Sequence, residues 1–396
     1  MFRYKIPKGI KLLTWATTIR WVGWGFFEAI LPVFIFSFTA SFAETGVLKS
    51  VYYVVFLVAA PLAGMLTDKV SSKVIVLIGL AMYPFISLSY FFAGATGMAL
   101  FIVIARALNG FGYAFDAVGR ATYFRQNVPE DKIATTFGYF DVITTLFWIL
   151  AVLSSLYLIK IFEVHELALI ILPTSLVAMA IVFFIKDGGH ENLRDGFKHA
   201  LAGGFLKNVL LEVKGWGRGM RLIALINFFI GFVAVMSDFI IPIRVYQESG
   251  SLPKVILIGV ILALPGLFDF RLGKFADKHR IGSLFIGLSS LLILFASLAF
   301  TDGFIGQMII AFLLGISFNL INLASDGLTT KMVQPEHFGR MSSLNFDIDT
   351  VGTILGPIAI GLMIDSFSFS SASLVLAFFS LIILILMLAK KKDLIK

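Results

Sequence analysis

The chain of 396 residues is 59% hydrophobic and only 14% charged, with a mean hydropathy of +0.95. Soluble domains carry about 25% charged residues, so an apolar excess of this size has to face lipid rather than water. The lack of cysteine excludes disulfides, thiolate zinc sites and cysteine-held iron–sulfur clusters, while the net charge of +8 is explained below by topology.

A helix needs about 20 mainly apolar residues to cross a bilayer. In chain order such stretches are predicted at 12–38, 44–66, 74–93, 97–118, 133–158, 166–185, 221–243, 254–269, 282–300, 304–328, 341–364 and 370–389. All are expected to be helical, because open strands leave their backbone polar groups unsatisfied in lipid. The first stretch does not read as a cleavable signal peptide: it is too long, carries Arg20 and Glu28, and lacks a small-residue cleavage site. With the N-terminus inside, 26 of the 32 Lys and Arg fall in inner segments, against four outside: Lys49, Lys160, Arg244 and Lys254. That bias predicts cytoplasmic termini at both ends. The basic excess then faces anionic headgroups of the cell's inner (plasma) membrane, and nucleic acid is not an expected partner.

The longest polar interruption separates six spans from six. The expected organisation is a six-helix bundle over 1–186, a central cytoplasmic loop over 187–219 and a second six-helix bundle over 220–396. Within the loop, Phe205, Leu206, Val209, Leu210 and Val213 recur at helical spacing, which suits either a short amphipathic helix on the membrane or a plain connector. The halves repeat. Glu28-x-x-x-Pro32 is matched by Asp238-x-x-x-Pro242 at an offset of 210, and Lys11 by Arg221 at the same offset. Gly64-x-x-x-Asp68-Lys69 is matched by Gly273-x-x-x-Asp277-Lys278 at 209. Pro129-Glu130 and Phe140-Asp141 are matched by Pro335-Glu336 and Phe346-Asp347 at 206. Ordered matches at nearly constant spacing predict two six-helix repeats of the same orientation, a design found in secondary transporters.

On these residues the chain resembles the major facilitator superfamily (MFS) over essentially its whole length. Gly64 to Lys73 is similar to that family's signature between helices 2 and 3, with Gly64, Asp68, Lys69 and Lys73 matching and Ser71 and Ser72 departing. The second copy keeps Gly273, Asp277 and Lys278 and has Arg280 where glycine is usual. Arg106, Gly110 and Gly112 resemble the family's helix 4 motif, whereas helix 5 lacks the Gly-Pro motif of drug–proton antiporters; a similar run, Gly352 to Pro357, stands in span eleven instead. The resemblance implies an all-α membrane fold working by alternating access, with a cavity lined by helices 1, 4, 7 and 10. It also implies a cytoplasmic gate in which the two signatures meet helix starts near Asp141 and Asp347. The alternative is a static interfacial salt bridge beside a tight-turn glycine.

Charges at bilayer depth are costly and usually face a bundle interior. Glu28 and Asp238 each lie 17 residues past an inner basic boundary, which places both in the outer half of the membrane. Arg106 lies near midplane, where the family's neighbouring helices 1 and 4 let it pair with Glu28; Arg20 is read as snorkelling to the inner surface. Asp238 has no matching cation in its own half and is read as the less compensated acid, a proton-coupling or cation-binding group assisted by Glu28 and Arg106. The alternative is a hydrated acid in an outer vestibule. Polar residues share one helical face in span four (Arg106, Asn109, Tyr113, Asp116, Arg120), in span ten (Asn319, Asn322, Asp326) and in span seven (Asn227, Gly231, Ala234, Asp238). Span one sets Trp21 and Trp24 beside Glu28, an aromatic wall suited to a ring-bearing or amphipathic solute. Each Asn taken alone is equally suited to binding helices together.

No phosphate-binding loop, His-Glu-x-x-His or Gly-x-Ser-x-Gly motif occurs. The expectation is a monomeric secondary transporter of a small organic solute, without cofactor or metal and not an enzyme, coupled to protons, with efflux favoured. The alternatives are a proton-linked or passive importer of sugars or other metabolites, and a non-transporting receptor of the same family.

Overall fold

The computed structural model describes residues 6–67, 70–129, 133–186, 216–332 and 338–395, and among them every regular element is helical. The elements are α1 (Lys8–Glu28), α2 (Leu31–Phe36), α3 (Phe42–Thr67), α4 (Ser72–Thr96), α5 (Ala99–Asn127) and α6 (Ile133–Leu158). Next come α7 (Val164–Leu167), leading through a 3-10 turn into α8 (Ile171–Phe183), and then α9 (Arg218–Val235). A π turn (Met236–Ile240) joins α9 to α10 (Ile241–Ser249). α11 (Leu252–Ala263) runs through a 3-10 turn into α12 (Asp269–Lys278). The chain ends with α13 (Arg280–Leu298), α14 (Phe304–Met332), α15 (Phe338–Ser366), α16 (Phe369–Ala389) and α17 (Lys391–Ile395).

Ten of the described helices are long and apolar enough to cross a membrane, and an eleventh counts if Leu252–Phe268 and Arg271–Lys278, bent by 53°, make one span. The bend follows Pro265, whose missing N–H breaks the helical ladder. Expected span eight thus continues as helix through Lys278, so Gly273, Asp277 and Lys278 lie in α12 rather than in a loop. The first expected span is two helices: Pro32, at the start of α2, ends α1 at Glu28. Two helices stop on left-handed glycines, Gly97 (φ 71°) after α4 and Gly250 (φ 61°) after α10, a conformation that a Cβ would strain.

Two compact units divide the chain: Met1–Phe38 with Val51–Gly204, and Thr39–Ser50 with Phe205–Lys396. The first turns of α3 thus belong to the second unit. There Asp365 of α15 accepts the backbone N–H of Phe42 (2.9 Å) and of Ala43 (2.8 Å), satisfying donors that a helix start leaves open. Small residues set the packing distances. In the second unit a Cβ on Gly352 or Gly356 of α15 would fall 2.2 Å from a carbonyl oxygen of α9, of Phe228 or Phe232 respectively. In the first, a Cβ on Gly79 of α4 would meet the Asp116 backbone nitrogen of α5 at 2.5 Å.

Candidate functional site

In the first unit, the break before Pro32 leaves Glu28 on the last turn of α1. Its carboxylate accepts a hydrogen bond from Trp148 Nε1 of α6 at 2.7 Å, and Arg20 and Arg106 act on it electrostatically at longer range. Trp148 is a partner the sequence reading does not name. Trp24, one turn earlier, is buried with its ring 6.2 Å from that of Tyr90, which also meets Phe27 at 5.1 Å. On α5, Arg106 and Asn109 are buried, and the Arg106 guanidinium stands 4.8 Å over the Tyr52 ring. Tyr113 continues that aromatic run, 6.2 Å from Tyr52 and 5.8 Å from Phe56. The unit thus offers a carboxylate, a guanidinium and a set of rings, groups able to exchange a proton and to stack on a planar solute.

The same unit holds a charge cluster that corrects the reading of Arg20. Arg20 is not a snorkelling side chain: it is buried with Asp116 and Arg120, at exposures of 2%, 1% and 7%. Asp116 Oδ2 meets Arg20 Nη2 at 3.1 Å and Arg120 Nη1 at 2.9 Å. Arg20 Nη1 also donates to the Tyr83 hydroxyl at 3.0 Å and Arg120 Nη1 to Thr17 Oγ1 at 3.4 Å, while the buried Arg20 Nε makes no hydrogen bond among the described residues. Arg20 reaches a buried carboxylate, and pairing offsets a desolvation that a lone guanidinium would relieve by extending to water. The i, i+4 spacing of Asp116 and Arg120 was the available signal.

In the second unit Asp238 sits inside the π turn, just ahead of Pro242 at the start of α10. The expectation of a less compensated acid is corrected by a close cation. Lys49 Nζ approaches Asp238 Oδ2 to 2.6 Å, and the same ammonium lies 4.7 Å over the Phe239 ring. The lysine side chain is 7% exposed and the carboxylate 50%. The sequence places Lys49 in another half of the repeat; its packing with the second unit supplies the counter-ion. Ser50 Oγ, beside it, donates to the Ile354 carbonyl at 2.7 Å.

The remaining polar positions of this unit are mostly engaged with one another. Ser325 Oγ donates to Asn227 Oδ1 (2.6 Å), and Asn319 Nδ2 to Asp269 Oδ1 (2.7 Å), while Asn322 is exposed. Asp349, which the sequence reading passes over, lies against α9: a Cβ at Gly231 would stand 2.6 Å from its Oδ1.

The signature residues divide similarly. Asp68, Lys69 and the Asp347 side chain lie outside the described residues, as does the amphipathic stretch 205–213. Gly64 lies within α3, and a Cβ placed on it would meet nothing within 4 Å, so it is neither a tight turn nor a close contact. Lys73 Nζ donates to the Phe183 carbonyl at 2.6 Å, the C-terminal end of α8, where a cation also meets the negative end of the helix dipole. Asp141 is exposed on α6. Asp277 and Arg280 face each other at 3.8 Å, and Arg280 lies across Gly327 of α14. Lys278 is exposed and Gly273 half-buried. Among the described residues no group of three or more His, Asp or Glu is placed to hold a metal ion.

A sequence profile described as Major Facilitator Superfamily matches residues 13–346 and, in a second match, 272–393. The structure is similar to that of the nucleoside transporter NupG (TM-score 0.77, 16% identity, 98% of this chain and 100% of that one). It is also similar to a POT family transporter in complex with 5-aminolevulinic acid (TM-score 0.78, 12% identity, 100% and 98%). A D-xylose–proton symporter matches with TM-score 0.67 and 11% identity over 94% and 97%. No curated protein matches by sequence.

Proposed function

The chain belongs to the Major Facilitator Superfamily, a family of membrane transporters and not of enzymes, and from that premise we propose that it moves a small organic solute by alternating access, coupled to protons. The observation that carries this reading is the repeated acid turn: Glu28 and Asp238 each stand four residues before a proline at a helix start, Glu28 hydrogen-bonded by the indoles of Trp148 and Trp24 and Asp238 paired with Lys49. A carboxylate held by so few partners has two states, partner-bound or protonated, and exchange between them is what coupling requires. Interrupted helices and π turns recur at such exchange sites. Glu28 is the proton carrier in this reading, and Asp238 alternates between Lys49 and a proton or cation. Arg106, Trp24, Asn109, Tyr113, Asn227, Asn319 and Asn322 line the solute path. The signature residues, with Asp141 and Asp347, form the inner gate.

The rings around Glu28 favour an amphipathic or ring-bearing solute, and with it efflux. Uptake is the second reading, favoured by the structural likeness to a D-xylose–proton symporter. Twelve spans result if the bent pair is the eighth and α1 with α2 the first. With the Lys and Arg bias this puts both termini in the cytoplasm of a plasma-membrane monomer, organised as 1–186, 187–219 and 220–396.

Proteoliposomes with a trapped pH dye test the reading against aromatic and sugar solutes. Addition of a solute is expected to move protons in the wild type, with the sign of the signal separating antiport from symport. Glu28→Gln should abolish that movement while leaving solute binding measurable. Proton flux that survives Glu28→Gln at the wild-type level would overturn the assignment.

A further inference from the structure

The second unit holds a cavity of about 680 Å³ that the transport reading does not use. It opens where the first turn of α9 meets the end of α16 and the short α17. One wall is apolar: Leu222 and Leu225 from α9 and Leu386 from α16. The rim is basic, with Arg218, Arg221 and Lys390 against one acid, Asp393. All three rim cations are exposed, and so is Leu225, at 39%.

Local packing builds this place. A Cβ on Gly219 would fall 2.3 Å from the Asp393 carbonyl oxygen, so only glycine lets α17 lie against α9 and close the cavity floor. Trp216, Met220 and Ala224 form a buried cluster beside it that fixes the first turn of α9. The wall and the rim also coincide with a boundary. Arg218–Ser249 and Phe369–Ala389 are both apolar enough to span a membrane, and the cations stand where those apolar runs meet charged residues. An occupant therefore has water on one side and hydrocarbon on the other.

We propose that this cavity binds an anionic phospholipid, its phosphate among Arg218, Arg221 and Lys390 and one acyl chain along Leu222, Leu225 and Leu386. Charge complementarity selects the headgroup. A zwitterionic lipid brings its own cation against three others, whereas a phosphatidylglycerol brings only negative charge. The leucine wall selects a lipid over free phosphate, because an inorganic anion leaves that wall exposed to water at the membrane edge.

Native mass spectrometry of the full, delipidated chain in detergent tests the proposal, with phosphatidylglycerol, phosphatidylcholine and inorganic phosphate titrated separately. Phosphatidylglycerol should bind at one preferred site and raise the melting temperature, phosphatidylcholine should bind more weakly, and phosphate should do neither. Combined Arg218→Gln, Arg221→Gln and Lys390→Gln substitution should weaken phosphatidylglycerol by about a hundredfold, near fivefold for each cation. Asp393→Asn should strengthen it. Leu225→Glu, a single exposed change, provides a second variant should the triple one fail to fold, and it should also weaken phosphatidylglycerol binding. Equal retention of the two lipids, wild-type affinity in these variants, or full stabilisation by phosphate alone would each overturn the proposal, the last marking a plain anion site. These readouts do not depend on transport and are unaffected by its absence.

Discussion

The Glu28 and Asp238 turns share a spacing and a mechanical effect, since each acid stands four residues before a proline that interrupts its helix. They differ in what holds the acid. Glu28 takes its hydrogen bond from an uncharged indole, inside a unit that also buries the Arg20–Asp116–Arg120 cluster. Asp238 faces a nearly buried lysine while half its own surface stays open. The comparison separates two duties of one motif. The proline places a break, and the partner that the surrounding helices bring to the break decides whether the acid is anchored by a neutral dipole or by a counter-ion.

The contrast between enclosed and open acids can be tested with graded substitutions. The largest expected effect on stability is that of Asp116→Ala, which strands two buried guanidinium groups and should cost about 3–5 kcal/mol. Asp238→Ala, at a half-exposed pair, should cost about 1 kcal/mol or less. Reversible denaturant unfolding in mixed micelles compares the two, and equal losses would erase the distinction. Next in size is Trp148→Phe, which removes one of the two indole donors to Glu28 and should cost about 1.5–3 kcal/mol. In a cycle with Glu28→Gln most of that loss should disappear, because the acceptor then no longer carries a charge. The smallest is the coupling between Lys49→Met and Asp238→Asn, about 1 kcal/mol and falling as salt is raised, since the carboxylate is open to screening. A coupling indifferent to salt would place Asp238 in the same class as Asp116.

Composition and periodicity carried the helical, lipid-facing architecture, because a chain in hydrocarbon has almost no other way to satisfy its backbone. The interruptions at Pro32 and Pro242 were legible for a similar reason: proline lacks a donor wherever it stands. What was not legible was partnership. Lys49 is 189 positions from Asp238 and reads as an ordinary outer-loop cation until its turn of α3 is seen to pack with the second unit. Arg20 and Asp116 are separated by the whole of α2, α3 and α4, and depth alone cannot distinguish a snorkelling arginine from a paired one. Helical spacing reveals which side chains share a face, and it carries no information about which face of another helix comes opposite. Trp148 was hidden likewise, as one aromatic among many, since an indole that donates and one that merely fills space look identical in a sequence.

The turn at Met236–Ile240 has a mechanical corollary. A π turn accommodates one residue more than the α-helix around it. Drawn back into regular α geometry, the surplus residue would swivel everything beyond it by about 100° and shift it by about 1.5 Å along the axis. Arg244, six positions past Asp238, now stacks 3.8 Å over Phe369 and reaches Asp302 at 3.2 Å. Both contacts would be lost in one stroke.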